Sequence, residues 1–359
     1  MTTFYDDPKD GGEYKYNETL PSAEWNGFID GIRSIDEITF RQALRFVPVA
    51  FGSNPYGLGV NEKAGVVIAL TSTSWRAFSL AKPDGAVGSV FEVVPSTTLP
   101  GSPTITSDRC ASAYGNETTV FVNDTYAYVF PSTLSGATQN TLNTITTTHD
   151  IMWSEYSQQF IVIGDGLGSN IEVSPDGVNW VNSDVPDAAL GVICFRLGSD
   201  VTGKNILIST NTGVGLLYSQ DGGQTWSEVV KPINDVFYPQ YDEVRNLWVL
   251  CEYSNLKIYS SADLVTWTLE YNGGSSIDIP GFLIIGKYWL VSREDVNSTF
   301  DGYFNTILVS DDKFQTITTA YMFNLGLHVA GYGRFSKQGK HVTLTGGGVG
   351  QIISGALLV

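Results

Sequence analysis

The three histidines are the side chains best suited to proton transfer and metal binding near neutral pH. His149, His328 and His341 are far apart, and none has the HxxxH or HExxH spacing that directs two imidazoles to one metal ion. Thr148-His149-Asp150 sets a carboxylate beside an imidazole, which would orient the ring, but no GxSxG motif supplies a nucleophile. We expect neither a metal nor a cofactor and interpret the histidines as surface or hydrogen-bonded residues.

Glycine and acidic clusters are the next candidates for chemistry. The glycine-rich segment 164–168 follows an apolar run, but neither a helical pattern nor a Walker lysine comes after it. We interpret it as a hairpin turn and not as a phosphate-binding loop. The acidic pairs at 6–7, 294–295 and 311–312 have the oxygen ligands that calcium prefers, and exposed acidic loops are the competing interpretation that we favour.

The cysteines give no sign of redox or metal chemistry. Cys110, Cys194 and Cys251 are widely spaced, form no CxxC pair, and stand in apolar surroundings such as Val-Ile-Cys-Phe. Free cysteine is among the most buried residue types, so we predict three buried thiols.

Composition excludes several classes of partner. The formal net charge is −17 and no run of Lys and Arg occurs, which argues against nucleic acid and against anionic membranes. Residues 1–7 have neither the basic nor the apolar region of a secretory signal, and no stretch approaches the roughly 20 apolar residues of a membrane-spanning helix. A neutral glycan or a basic protein surface is compatible with this charge.

One turn motif repeats along the chain. Segments 174–180, 219–226 and 261–267 share the form Ser-x-Asp-x-(x)-x-Thr/Asn-Trp, and segment 310–317 has the same form with Ile at the last position. Their aspartates are 45, 42 and 49 residues apart. That spacing is the length of a four-stranded propeller blade. The aligned residues are Ser174, Asp176, Gly177, Trp180, Ser219, Asp221, Gly222, Trp226, Ser261, Asp263, Trp267, Ser310 and Asp312.

Short apolar runs before each motif predict paired strands. Weaker copies at 68–75, 127–133 and 351–354 extend the series to seven units, with six or eight as alternatives. The last unit lacks an outer strand, and segment 38–51 is its natural donor, since sharing one blade between both chain ends closes the ring. The sequence therefore predicts an all-β, seven-bladed propeller.

The residue types of the motif suit structural roles. The aspartate can accept hydrogen bonds from backbone N–H groups of its own turn, and glycine supplies a positive φ. The tryptophan can cover the seam between blades with a large apolar area. We interpret all four motifs as structural and not catalytic.

This repeat resembles the Asp-box, or BNR repeat, of sialidases and related propellers, over residues 41–359. A sialidase would use three arginines to grip a carboxylate, a Tyr nucleophile with a Glu, and an acidic acid/base. Leu-Arg-Phe-Val-Pro at 44–48 resembles the Phe/Tyr-Arg-Ile-Pro motif of that family, with one extra residue before the proline. Arg45, Arg245, Arg293 and Arg334 are the candidate arginines, and we favour ordinary solvated roles for them.

Residues 1–40 differ from the repeat and form a predicted attachment arm. Segment 20–32 reads as a short helix with Trp25, Phe28, Ile29 and Ile32 as its apolar stripe. A helix this short is marginal alone, so we expect it to dock on something. The arm is similar to N-terminal segments of bacteriophage fibre, spike and decoration proteins.

These observations favour a non-enzymatic bacteriophage virion protein, either a tail fibre, spike or collar component or a decoration protein. The arm would bind other virion proteins, and the propeller would act as an interaction module or bind a host-surface glycan. We expect a homo-oligomer made in the host cytoplasm. The alternatives are a sialidase-like glycoside hydrolase and a cellular propeller that assists assembly or interaction.

Overall fold

A computed structural model of the chain describes most of residues 45–356. The described residues are 45–50, 56–79, 92–101, 105, 110–166, 168, 170–186, 190, 192–211, 215–274, 281–297, 302–324, 334–338, 341–345 and 351–356. In the strands at 45–50, 293–297, 302–307 and beyond 317 the description covers the backbone alone. The predicted arm and its four apolar residues, Trp25, Phe28, Ile29 and Ile32, lie outside the described residues.

In the described residues, twenty-eight strands form seven antiparallel sheets of four. The first three consecutive sheets are β2 (Gly57–Asn61), β3 (Val66–Leu70), β4 (Ser74–Ser79), β5 (Glu92–Thr98); β6 (Ala111–Gly115), β7 (Thr118–Asn123), β8 (Tyr126–Pro131), β9 (Thr138–Thr141); and β10 (Ile145–Ser154), β11 (Gln159–Gly166), β12 (Ile171–Ser174), β13 (Val181–Asn182). The next three are β14 (Cys194–Ser199), β15 (Ile206–Thr210), β16 (Leu216–Ser219), β17 (Ser227–Val229); β18 (Phe237–Asp242), β19 (Leu247–Glu252), β20 (Lys257–Ser261), β21 (Thr268–Asn272); and β22 (Gly281–Ile285), β23 (Tyr288–Asn297), β24 (Gly302–Ser310), β25 (Thr318–Asn324).

The seventh sheet joins the two ends of the described chain. Its order is β1 (Arg45–Ala50), β28 (Gln351–Ala356), β27 (His341–Thr345), β26 (Arg334–Gln338), and β1 pairs antiparallel with β28. The donor strand therefore lies within the segment 38–51 expected from the sequence. The prediction of an all-β, seven-bladed propeller is confirmed.

Strand contacts define an axis and two ends. The first strands of neighbouring blades contact one another from β2 to β26, so they are innermost, and β27 contacts β2 to close the ring. We call the end at which innermost strands begin the mouth end, and the opposite end the turn end. Because each blade is an antiparallel meander, all four Ser-x-Asp turns lie at the turn end.

Blades pack through apolar side chains on alternating strand positions and through close backbone approach. Strands β3, β15 and β22 are buried along their whole length, as expected for β-branched runs sandwiched between neighbouring sheets. At Gly198 on β14, an added Cβ would lie 2.0 Å from the carbonyl oxygen of Pro239 on β18. Only glycine lets the innermost strands approach this closely.

The Ser-x-Asp turns share one hydrogen-bond pattern. In the first, Asp176 Oδ1 accepts from Ser174 Oγ at 2.9 Å and from the N–H groups of Val178 and Asn179 at 2.8 and 2.9 Å. Burial opposes ionisation, but these bonds outweigh it and lower the pKa of Asp176 to about 2. Each aspartate thus holds its own turn closed. Equivalent Ser–Asp contacts occur at Asp221, Asp263 and Asp312.

One position in each turn faces the preceding blade, and we call it the seam position. Its N–H donates to the turn serine, at 2.8 to 2.9 Å, and its φ is positive. The four seam residues are Gly177, Gly223, Leu264 and Phe314.

Glycine and tryptophan share the seam in two turns, and a single large residue fills it in the others. Trp180 and Trp226 are 8% and 7% exposed beside seam glycines. Where Phe314 occupies the seam position it is 1% exposed, while Ile317 at the tryptophan position is 37% exposed. Leu264 is likewise buried, and Trp267 is only half-buried, unlike the buried seam cover that the sequence predicts for it. The buried apolar residue is therefore the tryptophan in the first two turns and the seam residue in the other two.

Asp242 and Arg245, in one turn of the fifth blade, link that blade to the next at the turn end. Asp242 is fully buried and accepts from Arg245 Nη1 at 2.8 Å and from Trp289 Nε1 at 2.6 Å. Arg245 also donates to the carbonyl oxygens of Lys287 and Asp311 in the next blade. This arginine is a structural link and not a solvated turn residue as the sequence suggests.

Candidate ligand-binding site

Charged and aromatic residues from three consecutive blades meet at the mouth end. The elements that carry them are β10 and β11 of one blade, β14 of the next, and β18 and the end of β19 of the third. The residues, which we call the mouth cluster, are His149, Asp150, Asp165, Phe195, Arg196, Tyr238 and Tyr253.

Arg196 is the centre of the mouth cluster. Its Nη1 donates to the carbonyl oxygens of His149 at 3.2 Å and Phe195 at 2.8 Å, and its guanidinium carbon lies 5.3 Å from the Tyr238 ring centroid. Burial alone would lower the pKa of Arg196, but Tyr238 and Asp150 outweigh that effect and raise it. Its Nε is buried with no hydrogen-bond partner. The side chain is therefore a permanent cation that hydrogen bonds hold in place.

Asp150 supplies the negative charge beside this arginine. Its Oδ1 accepts from the N–H of Ile151 at 3.0 Å, and its Oδ2 accepts from the N–H of Leu197 at 3.4 Å. Register shifts interrupt β10 next to Asp150 and β14 next to Arg196. Such bulges redirect side chains out of the regular alternation, which explains why two charged residues leave the strand pattern at this end.

His149 and Asp165 form a second polar pair. The His149 ring packs 4.9 Å from the Phe195 ring, and its Nε2 is 3.8 Å from Asp165 Oδ2, too long for a hydrogen bond. The Asp165 side chain is 34% exposed, yet its Oδ1 is buried without a hydrogen-bond partner. Asp165 therefore adds a partly exposed carboxylate with an unsatisfied acceptor atom to the mouth cluster.

Two stacked tyrosines border the arginine on its other side. The Tyr238 and Tyr253 rings are 6.1 Å apart with a 24° angle between their planes, and Tyr253 is half-buried. The N–H of Tyr253 donates to the carbonyl of Val236 at 3.0 Å, which fixes its backbone. Beside it, burial raises the pKa of Glu252, whose carboxylate lies 3.2 Å from Lys257 Nζ.

The mouth cluster combines a donor, an acceptor and aromatic faces, and its nearest thiol is inert. Burial, followed by the charge of Asp165, raises the pKa of Cys194 to about 12, so no thiolate forms near neutral pH. All three cysteines are buried and free, as predicted. The arrangement suits binding of a polar ligand more than covalent chemistry.

The arginines named for the sialidase resemblance do not come together. Arg45 begins β1 and Arg245 follows β18, so both lie at the turn end. Arg334 begins β26 and Arg293 lies in the mouth-end half of β23. The arginine of the mouth cluster is Arg196, which was not among the residues predicted from the sequence. Its signal was a charge within the apolar run Val-Ile-Cys-Phe-Arg-Leu.

The other sequence candidates are separated in space. Asp311 pairs with Lys287 Nζ at 3.1 Å, whereas Asp312 is occupied by its own turn. Among the residues with described side chains, no three His, Cys, Asp or Glu stand together as metal ligands. His341 begins β27 at the turn end, and His328 and the pair 6–7 lie outside the described residues. Of the pair 294–295 the structure describes the backbone alone, within β23. Residues 164–166 end β11 and lead into a hairpin connection, as predicted.

Comparison with known proteins identifies a fold. No family model and no curated protein matches the sequence. Among solved structures, YCF48 bound to D1 peptide is similar with a TM-score of 0.59 and 10% identity, covering 88% of this chain and 96% of that one. The Cps50 (Swd1) β-propeller domain of Myceliophteria thermophila gives 0.58 and 10%, covering 88% and 100%. An inactive virginiamycin B lyase from Staphylococcus aureus, bound to quinupristin, gives 0.57 and 11%, covering 88% and 100%.

These similarities establish a β-propeller and nothing narrower. At about one identical residue in ten, neighbours share architecture, and propellers of one architecture serve unrelated functions. Function must therefore be argued from the mouth cluster. In the part of the chain that the structure describes, no helix is long and apolar enough to cross a membrane.

Proposed function

We propose that this chain is a non-enzymatic binding propeller of a bacteriophage virion, which recognises a neutral glycan at its mouth end. The single observation that supports the binding role is that Arg196, held by hydrogen bonds, lies beside aromatic rings and close to the carboxylate of Asp165. The virion assignment rests on the resemblance of residues 1–40 to phage attachment arms, and the low share of charged residues, 16%, fits it.

Charge balance favours a neutral ligand. Arg196 would repel a cation, whereas Asp150 and Asp165 would repel a carboxylate. A sugar ring can present C–H groups to Tyr253 or Phe195 and hydroxyl groups to Arg196 and Asp165. The Asp-box interpretation of the four turns fits this role, because those turns lie at the other end and stabilise the blades.

The direction of strand β1 supports a mouth end that faces away from the point where residues 1–44 join the propeller. Strand β1 begins at the turn end, so residues before Arg45 join the propeller on the side away from the mouth cluster. An arm at that end would leave the mouth accessible after attachment. We place the boundary between arm and propeller near residue 41.

Ligand-detected NMR with glucose, galactose and N-acetylglucosamine tests this function. We expect saturation transfer to at least one neutral sugar, lost in Tyr253→Ala and Asp165→Asn and kept in the control Tyr126→Ala. Tyr126 is 38% exposed at the same end but outside the mouth cluster. Circular dichroism would confirm that the variants fold.

A fluorogenic sialoside distinguishes the alternative function. We expect no hydrolysis above background. If the protein hydrolysed the sialoside and Arg196→Met abolished this hydrolysis, a glycosidase activity would replace the proposed binding role. Absence of any sugar signal in the NMR experiment would remove the glycan proposal.

A further inference from the structure

Three adjacent turns expose an apolar arc at the turn end. Tyr156, Val201 and Val244 lie in the turns after the innermost strands of consecutive blades, and they are 54%, 71% and 62% exposed. Scattered surface valines need no explanation, so continuity between the turns matters here.

Hydrogen bonds between the turns make the arc continuous. The N–H of Tyr156 donates to the carbonyl of Thr202 at 2.9 Å, and the N–H of Val201 donates to Glu243 Oε1 at 2.5 Å. Lys204 Nζ lies 5.4 Å from the Tyr156 ring centroid and covers one of its faces. The three turns that carry these apolar side chains are therefore joined side by side around the axis, with no described element packed over them.

We propose that residues 20–32 of a second copy of this chain dock on the apolar arc. This rests on the proposed function only in giving residues 1–40 an attachment role. The segment has apolar residues at 25, 28, 29 and 32, a spacing that places them on one helical face. A helix of this length needs such a contact to be stable.

The position of β1 supports exchange between copies. The chain before Arg45 joins the propeller at the turn end, which is also the end that carries the arc. However, β1 is the outermost strand of the closing blade, whereas the arc lies on the third, fourth and fifth blades. Docking on the same propeller would require residues 33–44, which span at most roughly 40 Å, to cross from the closing blade to the far side of the ring. An arm from a neighbour need not cross the ring.

Two complementary variants of the full-length chain test the proposal by light scattering. Trp25→Asp disables the arm and keeps the arc, and Val201→Asp/Val244→Asp disables the arc and keeps the arm. We expect wild-type protein to be oligomeric, each variant alone to be monomeric, and an equimolar mixture to form a heterodimer. The control Val265→Asp changes an equally exposed valine (72%) at the same end but outside the arc, and it should stay oligomeric.

Contrary outcomes are equally specific. A monomeric wild type, an oligomer that survives both variants, dissociation by Val265→Asp, or a mixture that stays monomeric would each overturn docking between copies. Sugar binding by the monomeric variants separates this result from the proposed function, since the mouth cluster lies at the other end and should bind in either state.

Discussion

Replacing Phe314 by glycine tests whether the seam position holds neighbouring blades together. Phe314 is 1% exposed, packs 5.4 Å from the Tyr271 ring of the preceding blade, and has a φ of 65°. Losing a buried phenylalanine costs about 3–5 kcal/mol. Glycine relieves about 1–2 kcal/mol of left-handed backbone strain. We therefore expect Phe314→Gly to lower the free energy of unfolding by about 1–4 kcal/mol.

A second change should restore part of that loss. In the turn with Gly223 at the seam, Trp226 is buried at the position that Ile317 occupies here. Ile317→Trp alone finds the seam already filled and should change stability by less than about 0.5 kcal/mol. In Phe314→Gly it can enter the seam, so we expect the double variant to regain at least about 1 kcal/mol.

Equilibrium denaturation followed by far-UV circular dichroism measures this cycle without relying on the added tryptophan. Additive effects would refute the reasoning, because they would show that the two positions do not share one space. A loss below about 0.5 kcal/mol for Phe314→Gly would show that the seam residue is a surface residue in energetic terms.

Three further predictions concern the scaffold. Asp242→Ala leaves Arg245 and Trp289 without their buried acceptor, so it should lower unfolding free energy by about 3–5 kcal/mol, measured in guanidinium; a loss below 1 kcal/mol would contradict this. Because the pKa of Asp176 is lowered to about 2, its contribution to stability is present above about pH 4 and is lost toward pH 2. In acid titrations, the difference in unfolding free energy between wild type and Asp176→Asn should therefore shrink over that range. A difference that stays constant with pH would refute this. Cys194, with its pKa raised to about 12, should react with a thiol reagent only after unfolding, and rapid native labelling would contradict its burial.

The sequence predicted architecture better than it predicted the site. Repeated turns at blade spacing and strands of buried residues imply a propeller because each blade repeats the same local interactions. The donor strand followed from counting strands, and β1 confirms it. Local repetition has no equivalent for a site assembled across blades.

The mouth cluster could not be read from sequence spacing. Asp150, Arg196 and Tyr238 are separated by 46 and 42 residues, and only the ring brings their strands together. Strand bulges at Asp150 and Arg196 then redirect side chains, which no periodicity indicates. The seam residues Leu264 and Phe314 were not predicted for another reason. The repeat indicates tryptophan as the buried residue, whereas in these two turns the seam residue is buried instead.

We propose that recognition and attachment lie at opposite ends of the propeller. Backbone hydrogen exchange of the full-length protein tests it directly, with and without a bound neutral sugar and in wild type against Trp25→Asp. We expect sugar to protect residues 194–196 and 252–254, and the arm to protect residues 199–205 and 242–246. Sugar protection at the turn end, or arm protection at the mouth end, would contradict it.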